Sequence, residues 1–207
     1  MADAYRHPAR PRLFSLKQYL MAENASYSPR LCDYLDLNPR GDFYFLLGTP
    51  FPNVVFVDGA CARNGTPSAS GGYGVFFGPN SPYNVSKPLK FTDPQTSQRA
   101  ELTAVLVALN QMERIAGKYG LDQCQFFIIC TDSAYVVSSL TSYIYKWRRN
   151  DYTAATGREV VNRDLFERLD KKLDSMAYGR QGIDVLFWKV PRDANRNADE
   201  LAKRAVD

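Results

Sequence analysis

Two short runs of β-forming residues, Val54-Val55-Phe56-Val57 and Phe126-Phe127-Ile128-Ile129-Cys130, contain no polar side chain, and each runs into an aspartate, Asp58 directly and Asp132 after Thr131. A continuous apolar run of this length, without alternation, describes a strand covered on both faces. The first run is expected to stop at the turn-forming pair Asp58-Gly59. Between the two runs, apolar residues from Ala100 through Ile115 follow helical spacing, with Thr96 or Ser97 available as the N-cap. Two buried strands joined through a helix should lie parallel and close together, so the acids leaving their C-terminal ends, Asp58 and Asp132, should meet.

The remaining pattern fits around this pair. Gly71 to Phe77 and Tyr83 to Leu89 read as two more strands, separated by the turn formers Gly78-Pro79-Asn80-Ser81-Pro82, which gives an antiparallel meander. Tyr135 to Leu140 and Tyr143 to Arg149 are expected to be helical. Asn162 can cap a further helix with the apolar stripe Leu165, Phe166, Leu169, Leu173 and Met176. Val185 to Trp188 forms a last strand and Asn197 to Ala205 a last short helix. The fold class is therefore α/β, a mixed five-stranded sheet with helices on both faces.

With 207 residues, 45% of them hydrophobic, the chain can bury one good-sized core. Residues 1–52, interrupted by Pro8, Pro11, Pro29, Pro39, Pro50 and Pro52, read as an N-terminal extension of undefined role, and 53–207 as the main domain. No apolar run approaches the roughly 18 residues of a membrane span, and the start lacks the apolar segment of a secretory signal, so an intracellular monomer is expected. Arg6, Arg10 and Arg12 hint at a nuclear or mitochondrial address. Cys32, Cys61, Cys124 and Cys130 show no zinc-type spacing and are expected to be free thiols. A net charge of +4 permits a polyanionic partner without requiring one. His7 is the only histidine, which excludes a His-ligated metal site or a Ser/His/Asp triad.

Chemistry must therefore come mainly from carboxylates. Singly, each has an ordinary explanation: Asp58 in a turn, Asp132 as a helix cap, Asp199 beside a helix N-terminus. Glu101 is different. Steps of three and four from it reach Ala104, Val105, Ala108, Met112 and Ile115, which places a charge on an apolar face with no partner in the local sequence. If Glu101 looks towards Asp58 and Asp132, three anions converge and repel unless a cation joins them. Oxygen donors without His or Cys select Mg²⁺ or Mn²⁺. Two such ions roughly 3.5 to 4 Å apart are the common device for phosphodiester cleavage.

Val55-Phe56-Val57-Asp58-Gly59, Gln98-Arg99-Ala100-Glu101-Leu102, Thr131-Asp132-Ser133 and Asn197-Ala198-Asp199-Glu200-Leu201-Ala202 resemble, in order, the four motifs of type 1 ribonuclease H, particularly its eukaryotic form, from about residue 53 to 207. The resemblance implies a ribonuclease H-like fold and an endonuclease that cuts the RNA strand of RNA–DNA hybrids. Asp58, Glu101, Asp132 and Asp199 fall on its catalytic acids, which hold two Mg²⁺ ions, with Mn²⁺ a substitute. Asn64 and Gln98 match positions that contact RNA, and Ser97 stands where asparagine is usual. Recognition of the 2′-hydroxyl distinguishes RNA at such a site. Thr96 and Asn162 match a pocket for a DNA-strand phosphate, with Pro94 in place of an assisting arginine. Tyr135, Tyr143 and Trp147 resemble a channel for the DNA strand, beside the basic residues Lys146, Arg148 and Arg149.

One departure stands out. Val190-Pro191-Arg192-Asp193 occupies the place of the family's Val-Pro-Gly-His, and the following loop is shorter. The histidine that aids proton transfer or product release is absent, and Asp193 is the candidate auxiliary replacement, with a solvated surface carboxylate as the alternative. An altered rate or pH dependence is expected. The competing readings are a hybrid-binding protein that has lost turnover, and a retroelement-derived nuclease domain on the same fold.

Overall fold

The computed structural model describes residues 12–16, 31–48, 54–120, 126–179 and 182–207. His7, Arg6, Arg10, Asn53, Cys124 and most of the segment following Phe14 lie outside the described residues, as does the side chain of Cys32. Seven strands form one sheet: β1 (Leu35–Leu37), β2 (Tyr44–Leu46), β3 (Val54–Ala62), β4 (Ser70–Phe76), β5 (Val85–Pro88), β6 (Phe126–Thr131) and β7 (Asp184–Lys189). The helices are α1 (Ser97–Tyr119), α2 (Ala134–Ser138), α3 (Ile144–Arg149), α4 (Arg163–Tyr178) and α5 (Arg196–Arg204). A π-helical turn, Ser139–Tyr143, joins α2 to α3, and a 3₁₀ turn, Arg192–Asn195, leads into α5.

The two apolar runs are the middle of the sheet. β3 and β6 pair in parallel with Phe56 opposite Cys130, and β7 continues in parallel on β6. On its other side β3 runs antiparallel to β4, and β4 to β5, as the meander requires. These are the five expected strands. The hairpin of β1 and β2 adds two short strands from the N-terminal extension, and joins β3 where Tyr44 pairs with Val54.

Alternation along β3 divides the core. Val55 and Val57 face the layer of Ala104, Ala108, Leu109, Met112, Phe166 and Leu169, contributed by α1 and α4. Val54 and Phe56 face the other layer, with Ile128, Cys130, Val190 and Ala198 under α5. Helices thus cover both faces. Among the described residues no helix is long and apolar enough to cross a membrane. Cys61 and Cys130 are free thiols, Cys130 fully buried.

Thr96 caps α1, its hydroxyl accepting from the Arg99 amide at 3.2 Å, and Gly120 at φ 92° ends the helix. Two expectations about local structure give way. β3 does not stop at Asp58-Gly59 but runs on to Ala62, so Asp58 lies inside a strand. The reason is packing: a Cβ on Gly59 would stand 2.2 Å from the Glu101 amide nitrogen, so glycine here admits the backbone of α1 rather than making a turn. Gly74 does the same on β4, where a Cβ would meet the Ala198 carbonyl at 2.2 Å. Asn162, expected as the cap of α4, sits in the left-handed region at φ 63° and makes no side-chain cap bond.

Gly59→Ala should therefore cost more than about 3 kcal/mol, or prevent folding, because the three obstructing atoms, the Glu101 nitrogen and Cα and the Ala100 carbonyl carbon, are all backbone. Gly117, exposed within α1 with nothing near its would-be Cβ, is the control. Gly117→Ala should stabilise the protein by about 0.5–1 kcal/mol. Denaturant unfolding of both variants checks the pair, and a mild effect at Gly59 would contradict the close approach.

Candidate active site

The parallel register of β3 and β6 carries Asp58 and Asp132 to neighbouring positions, each two residues beyond the paired Phe56 and Cys130. The close approach at Gly59 brings the first turn of α1, with Glu101, against β3. α5 packs on β3 and β4 through Ala198 and Ala202, and Asp199 follows directly on that contact. Four acids distant in sequence thus share one end of the sheet.

Each takes a separate partner. Asp58 accepts from the Gly59 amide at 2.8 Å. Glu101 Oε2 accepts from the Ser133 hydroxyl at 2.6 Å, which supplies the partner absent from its own helix. Asp132 Oδ1 accepts from Asn195 Nδ2 at 2.8 Å, and the same amide donates to the Val57 carbonyl at 3.1 Å. Asp199 is paired with Lys203 at 2.6 Å and stands 3.8 Å from Arg192. Ser133, rather than Asp132, caps α2, accepting from the Val136 amide at 3.2 Å. Asp132 is thereby left free of the helix terminus.

Electrostatics tie the acids together. Burial, then Asp132, Asp199 and Glu101, push the Asp58 carboxyl up to about 7, against a smaller opposing effect of the Gly59 amide. Burial, and secondarily Asp132, also raise Glu101, while the Ser133 hydrogen bond draws it back. Among the described residues no three His, Cys, Asp or Glu side chains stand ready to hold one metal ion. The donor set still fits a hard divalent cation: four carboxylates in mutual repulsion, all oxygen, one of them protonated near neutrality for want of positive charge. Lys203 and Arg192 supply part of that charge at Asp199.

Asn195 and Ser133 escaped the sequence reading. Asn195 is 1% exposed, and its Oδ1 is buried without a hydrogen-bond partner. A polar residue between Ala194 and a helix start has no signal in periodicity. Its role appears only when the loop folds under β3 and β6. Asp193, the auxiliary candidate, is exposed in the 3₁₀ turn, and Arg192 is the loop residue that reaches the acids.

The substrate candidates form two groups that meet where Asn162 faces Tyr135. Asn64, in the turn after β3, donates to the Ser97 hydroxyl at 3.4 Å, so Asn64, Thr96 and Ser97 adjoin at the start of α1, with Gln98 exposed beside them. Asn162 lies nearby, because its Oδ1 accepts from Arg99 Nη1 at 3.4 Å, while its buried side-chain amide faces the Tyr135 hydroxyl. Arg99 is held by Asp164 at 2.7 Å and Asp93 at 3.3 Å, and an open depression lined by Val160, Asn162, Arg163 and Asp164 adjoins it. Tyr135, Trp147 and Tyr143 form the second group. Tyr135 and Trp147 flank Phe166 at 6.0 and 4.9 Å, and exposed Tyr143 lies 5.8 Å from Trp147. Trp147 is half-buried: one side meets the core and the other is available.

The family model described as RNase H matches residues 52–207. Ribonuclease H1 of Rattus norvegicus is 30% identical over 157 residues, covering 74% of this chain and 50% of the relative. Ribonuclease H of Schizosaccharomyces pombe is 36% identical over 153 residues, covering 74% and 52%. The chain thus spans about half the length of these relatives. Ribonuclease H of Nitrobacter hamburgensis is 35% identical and covered over 92% of its length. Among solved structures, LC11-RNase H1 in complex with RNA/DNA hybrid superposes with a TM-score of 0.51 at 20% identity, covering 74% of this chain and 96% of that one. The foamy viral protease-reverse transcriptase gives 0.55 at 23%, covering 76% and 95%. These likenesses establish the fold.

The raised carboxyls fix a sign for stability against pH. A folded state that holds a proton up to about 7, against an ordinary 3.8, gains from that group below 3.8 and loses the gain as pH rises through 7. With chelator at pH 8, Asp58→Asn should raise the melting temperature by about 3 °C or more, and at pH 4 it should match the wild type. Millimolar Mg²⁺ should stabilise wild type at pH 8 but not the variant. Equal melting of both proteins at pH 8 would contradict the electrostatic account.

Proposed function

The chain belongs to the ribonuclease H family, and on that premise we propose that it is an endonuclease hydrolysing the RNA strand of RNA–DNA hybrids. The observation that carries the reading is the field of Asp132, Asp199 and Glu101 on the buried Asp58 carboxyl, an arrangement costly to fold unless a cation uses it. The solved relative bound to an RNA/DNA hybrid supports the substrate class.

Asp58, Glu101, Asp132 and Asp199 are the residues that would hold two Mg²⁺ ions, with Mn²⁺ able to substitute. Bound there, the ions supply an activated water and charge stabilisation for the leaving oxygen. The protein's own part is positional. Asn195 fixes Asp132 against the end of β3, and Ser133 orients Glu101 while capping α2. Asn64, Ser97 and Gln98 offer hydrogen bonds for RNA sugars and base edges next to the acids. Thr96 and Asn162 offer donors for a phosphate of the DNA strand, beside Arg99. Tyr135, Tyr143 and Trp147 give that strand's sugars an apolar surface, flanked by Lys146 and Arg149, whereas Arg148 of the same basic run is committed to Asp170 and Asp174.

The second reading, a hybrid-binding protein without turnover, draws on Asp199 being engaged by Lys203 and Arg192 where the family's histidine is missing. The two separate on a strand-labelled hybrid assayed with Mg²⁺, Mn²⁺ or chelator, alongside duplex DNA and duplex RNA. The nuclease reading expects cleavage of the RNA strand of the hybrid alone, lost with chelator and reduced at least about a hundredfold by Asp132→Asn. Tight hybrid binding with no cleavage under either metal would establish the binder instead.

A further inference from the structure

Residues 12–14 of the N-terminal extension lie along the edge of β7. Leu13 forms a parallel bridge with Phe187. The Phe14 amide donates to the Phe187 carbonyl at 2.9 Å, and the Phe187 amide donates to the Arg12 carbonyl at 2.6 Å. The Phe14 ring packs on Trp188 at 4.9 Å.

From this edge the buried Arg12 side chain reaches across to α4, donating from Nη1 to Asp170 at 3.2 Å and from Nη2 to Asp174 at 2.9 Å. Arg148 of α3 grips the same two carboxylates, donating through Nε and Nη2 to Asp170 and through Nη2 to Asp174 at 2.7 Å. The Tyr152 hydroxyl donates to Asp170 at 3.3 Å, and both guanidinium groups lie over the Tyr145 ring, at 5.6 and 6.0 Å. Two arginines, from the extension and from α3, thus share one pair of aspartates on successive turns of α4.

The arrangement bears on α3 in particular. α3 is the last stretch of one helical run that begins at Ala134 and passes through the π turn, and three of its six residues are cationic with no acid among them. Ile144, the stacking of Trp147 on Phe166 and the grip of Arg148 on α4 hold it in place. With Arg148 alone, two carboxylates would face one cation, and Asp170, 6% exposed, could not shed the excess into solvent. Arg12 balances the count.

We propose that residues 12–14 are a strap through which Arg12 acts as a positioning residue for α3, and so for the Tyr143 and Trp147 surface that receives the nucleic acid. The inference rests on the hybrid-binding reading for that surface. Arg12 touches no substrate. Its effect passes through Asp170, Asp174 and Arg148.

The test compares full-length wild type, Arg12→Ala and Arg12→Lys in steady-state cleavage of a labelled RNA–DNA hybrid, with hydrogen exchange followed over residues 143–149. Arg12→Ala should raise KM about three- to tenfold with kcat within about twofold. Exchange in 143–149 should quicken. Arg12→Lys, which keeps the charge but not the forked geometry, should fall between. Unchanged KM with only a lower melting temperature would reduce the strap to a cap on the sheet edge and overturn the proposal. If wild type neither cuts nor binds the hybrid, the functional reading fails instead. Exchange then decides the strap: unaltered protection of 143–149 in Arg12→Ala, or in Arg12→Lys should the alanine variant not fold, overturns it.

Discussion

Mutual repulsion among four carboxylates at one end of the sheet is the constraint on which the rest of the molecule turns. Asp58, Glu101, Asp132 and Asp199 come from two parallel strands and two helices on opposite faces, so the entire fold is needed to bring them together. The glycines that let α1 and α5 approach the sheet, Gly59 and Gly74, serve that convergence directly. The local partners of the acids read as its management. Ser133, Asn195 and Lys203 each donate to an oxygen of one of these carboxylates. A stable protein with no use for a cation would have little reason to keep this arrangement, because apolar residues in the same volume cost less to bury.

The sheet and the four acids were legible because their signals are strong and local. Val54 to Val57 and Phe126 to Cys130 can only be buried strands, and Glu101 on the apolar face of a helix contradicts its surroundings unless something external compensates. What the sequence concealed depends on contacts between distant segments. Gly59 looks like a turn glycine and is a packing glycine. Asn162 looks like a helix cap, yet its side chain turns to Arg99. Asn195 carries no pattern at all until the loop after β7 folds beneath β3. The hairpin of β1 and β2 was missed because strands of three residues between prolines have too little length for alternation to show.

The loop before Asp199 sets the charge balance at the margin of the site. Arg192 and Lys203 set positive charge on an acid at the site's margin, while Asp193 faces solvent. The extension contributes an interaction elsewhere in the fold. Arg12 joins the first described segment to α4 across more than 150 residues of sequence, and through the shared carboxylates to Arg148 of α3. One feature bears on how the acids are charged and the other on how the aromatic surface is held.

The most direct test of the electrostatic account is a carbon-13 NMR titration of the side-chain carboxyls, performed in chelator and again in saturating Mg²⁺. The account predicts that Asp58 titrates near 7 in chelator and falls into the ordinary carboxylate range when Mg²⁺ is present. An Asp58 that titrates near 4 in both conditions, unmoved by Mg²⁺, would show that the four acids neither repel strongly nor share a cation, and would contradict it.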